Sequence, residues 1–138
     1  MERVEKFATE KEWRRAYREI NEFEQLLTDD GAILIKFYLH IDKDEQRVRL
    51  QARLDDPTKQ WKFNPDDLKT RQKWDEYMAA YQELLEKCST EWAPWHLIPA
   101  NRKWVGRLAV AEIVAATLES LKLEYPKPTY DPKAIVIE

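Results

Sequence analysis

Apolar positions recur at helical spacing through Trp13, Tyr17, Ile20, Phe23 and Leu27, so that one face of a helix meets a core every three or four residues. Thr9 precedes this stripe with Glu12 three residues later, a pair that can satisfy free N–H groups at a helix start reciprocally. Asp30-Gly31 ends the stripe. The period then changes. AILIKFYLHI, Ala32 to Ile41, is apolar on both alternating faces apart from Lys36 and His40, the pattern of a strand buried on both sides of a parallel sheet. Asp42 with Glu45 repeats the capping spacing and predicts a second, more polar helix to about Leu54. Helix, strand, helix is the order of an α/β fold.

From Asp55 the chain turns polar, with Pro57 and Pro65 and no glycine. Asn64-Pro65 followed by Asp67 places a cap and then a proline in a first helical turn. Trp74, Tyr77, Met78, Tyr81, Leu84, Leu85 and Cys88 then mark one face of a long helix. Residues 55–88 therefore read as a helical insertion. Pro94 to Ala100 predicts a second strand, parallel to the first, and Asn101 is placed to cap a final helix with Val105, Leu108, Ile113, Val114, Leu118 and Leu121 on its stripe. The end, 124–138, is proline-rich and predicts an extended arm closing in a short edge strand. The expectation is one α/β domain over 1–138, with two parallel core strands and flanking helices.

Composition narrows the function. The 138 residues are 43% apolar and 36% charged, enough for one globular core under a soluble surface. A net charge of −3 gives no whole-molecule attraction to nucleic acid or membrane, so any polyanion site must be local. The single cysteine, Cys88, cannot form an internal disulfide and fits a buried helical position better than a catalytic thiol. MERVEKFATEKEWRR is too charged for a signal peptide, and no apolar run approaches a membrane span. A cytoplasmic protein is expected.

Two places carry chemistry. Between Lys59 and Lys73 five basic residues (Lys59, Lys62, Lys69, Arg71, Lys73) face two acids, Asp66 and Asp67. This surplus could dock a polyanion, and an ordinary solvated helix reads the same way. After the second strand, Asn101, Arg102, Lys103 and Arg107 come with no acid before Glu112. Ligands of open α/β sheets sit beyond the carboxyl ends of the strands, and a helix start there already favours anions. Cations on that first turn oppose the helix dipole, which points to a bound phosphate; scattered surface charge is the plainer alternative. His40 and His96 stand apart from any cysteine or carboxylate cluster and read as packing residues, with no structural metal. Gly31 and Gly106 are the only glycines, so no G-x-x-x-x-G-K-[ST] loop occurs, and no strand ends in an aspartate suited to magnesium.

WKFNPDDLKTRQKWDEYMAAY, then STEWAPWHLIPANRKW with GRLAVAEIV, together with EWRRAYREINEFEQLLTDDGAILIKFYLHIDKDEQ, closely resembles the C-terminal half of the family-2 polyphosphate kinases, from Glu2 to about Leu121. The resemblance implies a partial P-loop kinase fold and a phosphotransferase that moves phosphate between inorganic polyphosphate and AMP or ADP with magnesium. It implies that 55–88 is a lid over the phosphate channel, with Lys62 and Arg71 reaching polyphosphate. It also places Arg102, Lys103 and Arg107 near phosphate or nucleotide, aligns Glu2 with a family acid near the site, and has Trp92 and Trp95 pack the lid on the core. The family's glycine-rich loop and its magnesium-holding aspartate would lie before Met1, so the chain alone is expected to be inactive and to hold no magnesium ligand. Polyphosphate, AMP or ADP, and either further copies of the chain or the family's N-terminal half are the expected partners, with no membrane or nucleic acid. The alternative reading is a stand-alone polyphosphate- or nucleotide-binding or oligomerisation module without catalysis.

Overall fold

The computed structural model describes residues 2–131, 133, 135 and 136. Helix α1, Glu10–Asp29, starts where the capping spacing places it: the N–H and hydroxyl of Thr9 both donate to the Glu12 carboxylate at 2.7 Å. It ends where Gly31 takes φ +91°, a left-handed conformation that only glycine adopts without strain, with the Gly31 N–H donating to the Thr28 carbonyl at 3.0 Å. Strand β1, Lys36–His40, pairs in parallel with β2, Trp95–Pro99, in a register that runs from Lys36 opposite Trp95 to His40 opposite Pro99. Helix α2 (Lys43–Asp55) follows β1 and helix α5 (Lys103–Ser120) follows β2. Between them lie a 3-10 turn at Gln60–Lys62, α3 (Asp66–Gln72) and α4 (Trp74–Cys88).

Four expectations need correction. The first strand is half the predicted length, because β2 offers only five residues to pair with; residues 32–35 approach it without a partner. Its faces are not both covered, and Leu39 is 57% exposed. The predicted long helix is two, broken at Lys73, whose ψ of +22° departs from helical geometry. Asn101 does not cap the last helix. Arg102 holds that position, and the Asn101 side chain reaches across to Asp42 instead. Among the described residues of 124–138 none is in a strand; the chain end, where a short edge strand is expected to close the arm, includes Pro132, Ala134, Ile137 and Glu138, which lie outside the described residues.

The core is small and sits where α4 ends and β2 begins, with Cys88 and Ala93 at 0% exposure and Ile98 at 3%. Lys36, the first residue of β1, points into this junction. Its ammonium donates to Glu24 of α1 at 2.6 Å and to the Cys88 carbonyl at 2.7 Å, and it lies 5.1 Å from the centre of the Trp95 ring. A desolvated cation is tolerated there because a carboxylate, a carbonyl and a π face all receive it. Trp95 thus packs at the meeting point of α1, α4 and β1, whereas Trp92 is exposed. The segment before α1 clips α1 to α4: Arg3 pairs with Glu83 and lies 4.5 Å from the Trp13 ring centre, and Glu5 accepts from Lys73 at 2.6 Å and from the Tyr77 hydroxyl at 3.0 Å.

Candidate anion site at the strand ends

Parallel strands put both carboxyl ends on one side, so His40 and Pro99 lie together and α2 and α5 start just beyond them. The two helix starts are tied to each other. The Asp42 N–H donates to Asn101 Oδ1 at 3.0 Å, Asn101 Nδ2 donates to Asp42 Oδ2 at 2.5 Å, and Asp42 Oδ1 accepts the Glu45 N–H at 2.7 Å as the cap of α2. The Glu45 N–H, then the Asn101 amide, hold the Asp42 carboxyl below the usual carboxylate range. The Ala100 N–H continues the ladder to the His40 carbonyl at 2.8 Å.

On this platform stand Arg102, Lys103 and Arg107, all exposed and none in an ion pair among the described residues. Arg102 occupies the N-cap of α5 and offers no side-chain acceptor, and the first turn carries no acid. The positive end of the helix dipole therefore coincides with two unneutralised cations, Arg102 and Lys103, and Arg107 stands one turn further along α5. Lys103 and Arg107 line a groove of about 510 Å3 together with Arg49 of α2, Leu39 of β1, and Val110 and Val114 of α5. The arrangement sets three cationic side chains, which can hold an anion, beside an otherwise apolar lining.

The other predicted residues sit elsewhere. Arg71 lies against the start of α2, donating to the Lys43 carbonyl at 2.5 Å and to Gln46 Oε1 at 2.9 Å, so it comes within a turn of the Asp42 bridge. Lys62 is exposed beside Trp61, its ammonium 5.0 Å from that ring centre. Glu2 lines a separate groove with Trp13, Tyr17 and Tyr81, and its carbonyl accepts the Phe7 N–H at 2.8 Å. The basic surplus of 59–73 shrinks in three dimensions. Lys59 pairs with Asp56, Lys69 with Asp66 and Lys73 with Glu5, two of these acids lying outside that stretch. Lys59 and the Thr58 hydroxyl and N–H pull the Asp56 carboxyl down to about 2.

Cys88 is fully buried and burial pushes its thiol up, which suits packing. His96 packs on Phe37 with ring centres 5.7 Å apart. Among the described residues no group of three His, Cys, Asp or Glu side chains could hold a metal ion, and no helix is long and apolar enough to cross a membrane. Sequence reasoning missed Arg49. Its i, i+4 spacing from Glu45 was visible in the sequence, but its reach to Ala100 depends on the fold.

Compared with known proteins, residues 1–126 match the family model described as polyphosphate kinase 2 (PPK2). The chain is 48% identical over 136 residues to an AMP/ADP-polyphosphate phosphotransferase of Meiothermus ruber, covering 99% of this chain and 51% of that protein. It is 43% identical over 126 residues to an uncharacterized protein in the chlN 3′ region of Leptolyngbya boryana, covering 91% of this chain and 93% of the other. Among solved structures, polyphosphate kinase 2 from Arthrobacter aurescens TC1 superposes with a TM-score of 0.93 at 48% identity, over 97% of this chain and 47% of that one. The chain thus spans about half the length of the Meiothermus and Arthrobacter proteins.

Proposed function

Because the chain belongs to the polyphosphate kinase 2 family, we propose that it supplies the polyphosphate-holding part of a phosphotransferase acting between inorganic polyphosphate and AMP or ADP. One observation carries this reading: among the described residues Arg102, Lys103 and Arg107 stand without acid partners where two parallel strands end and a helix begins. Polyphosphate bears a negative charge on every unit, so it gains from several cations at fixed spacing, and its oxygens accept charge-assisted hydrogen bonds from each. The relatives, an AMP/ADP-polyphosphate phosphotransferase among them, suggest the substrate class.

The chain's share of the reaction is to bind and align the polyanion and to offset charge as a phosphoryl group leaves it. In phosphoryl transfer, positioning and electrostatic stabilisation account for most of the catalysis. The arm at 55–88 acts as a lid in this reading, Lys62 and Arg71 reaching the polymer from α3 and the turn before it. Arg71 would exchange its carbonyl partners on α2 for phosphate oxygens. Kinship with P-loop kinases belongs to the same proposal and explains the parallel strands with anion-binding residues at their carboxyl ends. A glycine-rich phosphate cradle is not encoded in these residues, so the chain alone binds polyphosphate without transferring phosphate. Magnesium is expected for the intact family enzyme; at the strand ends of this chain the two nearby carboxylates are already engaged, Asp42 with Glu45 and Asn101, and Glu45 with Arg49.

Calorimetric titration with inorganic polyphosphate, run beside a phosphotransfer assay with AMP and magnesium, tests both halves. Saturable, salt-sensitive binding without ADP formation is expected. Absence of binding overturns the reading; rapid ADP formation overturns only the claim that this chain does not transfer phosphate.

A further inference from the structure

The turn between β2 and α5 carries Arg102 and leads into Lys103 and Arg107, the three cations that form no ion pair among the described residues, yet the usual devices that would hold it are missing. Arg102, at the N-cap, has only donors on its side chain, and no acid follows in the first turn. Cations there strain the helix start further. What holds the turn comes from α2. Arg49 Nη2 donates to the carbonyl of Ala100 at 2.5 Å and to that of Asn101 at 3.2 Å, while Arg49 Nε donates to Glu45 Oε1 at 2.7 Å. Glu45 is in turn fixed at the first turn of α2 by the Asp42 cap, and Asp42 carries the paired bonds to Asn101. Arg49 is only partly exposed and borders the same groove as Lys103 and Arg107.

Resting on the polyphosphate-binding reading, we propose that Arg49 is a positioning residue: its guanidinium fork fixes the Ala100–Asn101 turn so that Lys103 and Arg107 face one bound polyanion together. An arginine suits this task where a lysine does not. Its planar fork serves the turn and Glu45 at once, whereas an ammonium on a flexible stem is a point charge. Glu45 neutralises that charge, so Arg49 acts through the two cations beyond the turn, and the ligand meets Lys103 and Arg107.

A double-mutant cycle on the full chain decides this, with inorganic polyphosphate as the probe. R49M is expected to weaken binding about fivefold in the native background and to have no further effect in K103A/R107A, since residues that act through one another are not additive. R49K, which keeps charge and bulk, is expected to fall close to R49M, and it carries the same cycle should R49M fail to fold. Additive losses from R49M and K103A/R107A, or binding by R49K equal to the native chain, overturn the positioning role. Failure of the native chain to bind, or unchanged binding by K103A/R107A, overturns the polyphosphate reading itself.

Discussion

On the side of the molecule where α1 meets α4, cations are spent on holding the fold. Arg3 reaches Glu83, Arg14 reaches Glu10, Lys36 reaches Glu24 and Lys73 reaches Glu5. At the strand ends the same residue types, Arg102, Lys103 and Arg107, reach no acid among the described residues. The sequence charge is similar in kind in both regions, and the difference lies in what surrounds it. A paired cation lowers the energy of the folded chain; an unpaired one set on the positive end of a helix raises it and leaves its charge for something else. Charge that opposes local stability at a strand-end helix start is the physical signature from which the site is argued.

The largest expected effect tests the paired side. K36M removes one member of an ion pair whose side chains are 12% and 13% exposed, leaving Glu24 desolvated without its partner. It should cost about 3 kcal/mol in urea unfolding with polyphosphate affinity unchanged. A coupled loss of affinity would mean that the two regions are not separable. R102A/K103A tests the other side and should move stability the opposite way. Removing two positive charges from the start of α5 should stabilise the fold by about 0.5 kcal/mol while weakening polyphosphate binding, both read on one preparation by thermal unfolding and titration. A fall in stability would show that these cations hold the fold after all.

The smallest effect concerns pH. Asp56 is held at about 2, below its ordinary 3.8. A depressed carboxyl binds fewer protons folded than unfolded, so its stabilisation is complete above about pH 4 and is lost as pH falls toward 2. The native chain should therefore lose unfolding midpoint over that window, and D56N should show a shallower decline. Equal slopes would mean that the Lys59 and Thr58 contacts are not maintained in solution.

Much of this was legible beforehand because it is written locally. Thr9 with Glu12, Gly31, and Asp42 with Glu45 specify helix ends through contacts within a few residues. The apolar alternation of 32–41 gave a strand but not its length, since length depends on how many residues of β2 lie opposite. The break at Lys73 left no mark in an apolar stripe that runs on through α4, and its ion pair with Glu5 joins residues 68 positions apart. For the same reason Asn101 read as a helix cap. Its side chain is equally suited to a cap or a bridge, and only the parallel pairing of β1 with β2 brings Asp42 within reach. The basic run of 59–73 read as a surplus because Asp56 and Glu5 lie outside it in sequence. The cations after β2 have no acid before Glu112 in the chain, and among the described residues the nearby acids Asp42 and Glu45 are bonded to Asn101 and Arg49 rather than to them.

Titration of inorganic polyphosphate into the native chain and into K103A/R107A, at low and at physiological salt, tests the central claim most directly. The native chain should bind saturably and lose affinity as salt rises, and the double variant should bind at least about tenfold more weakly with a flatter salt dependence. Equal affinity and equal salt dependence for the two proteins would contradict the assignment of the strand-end cations to a polyphosphate site.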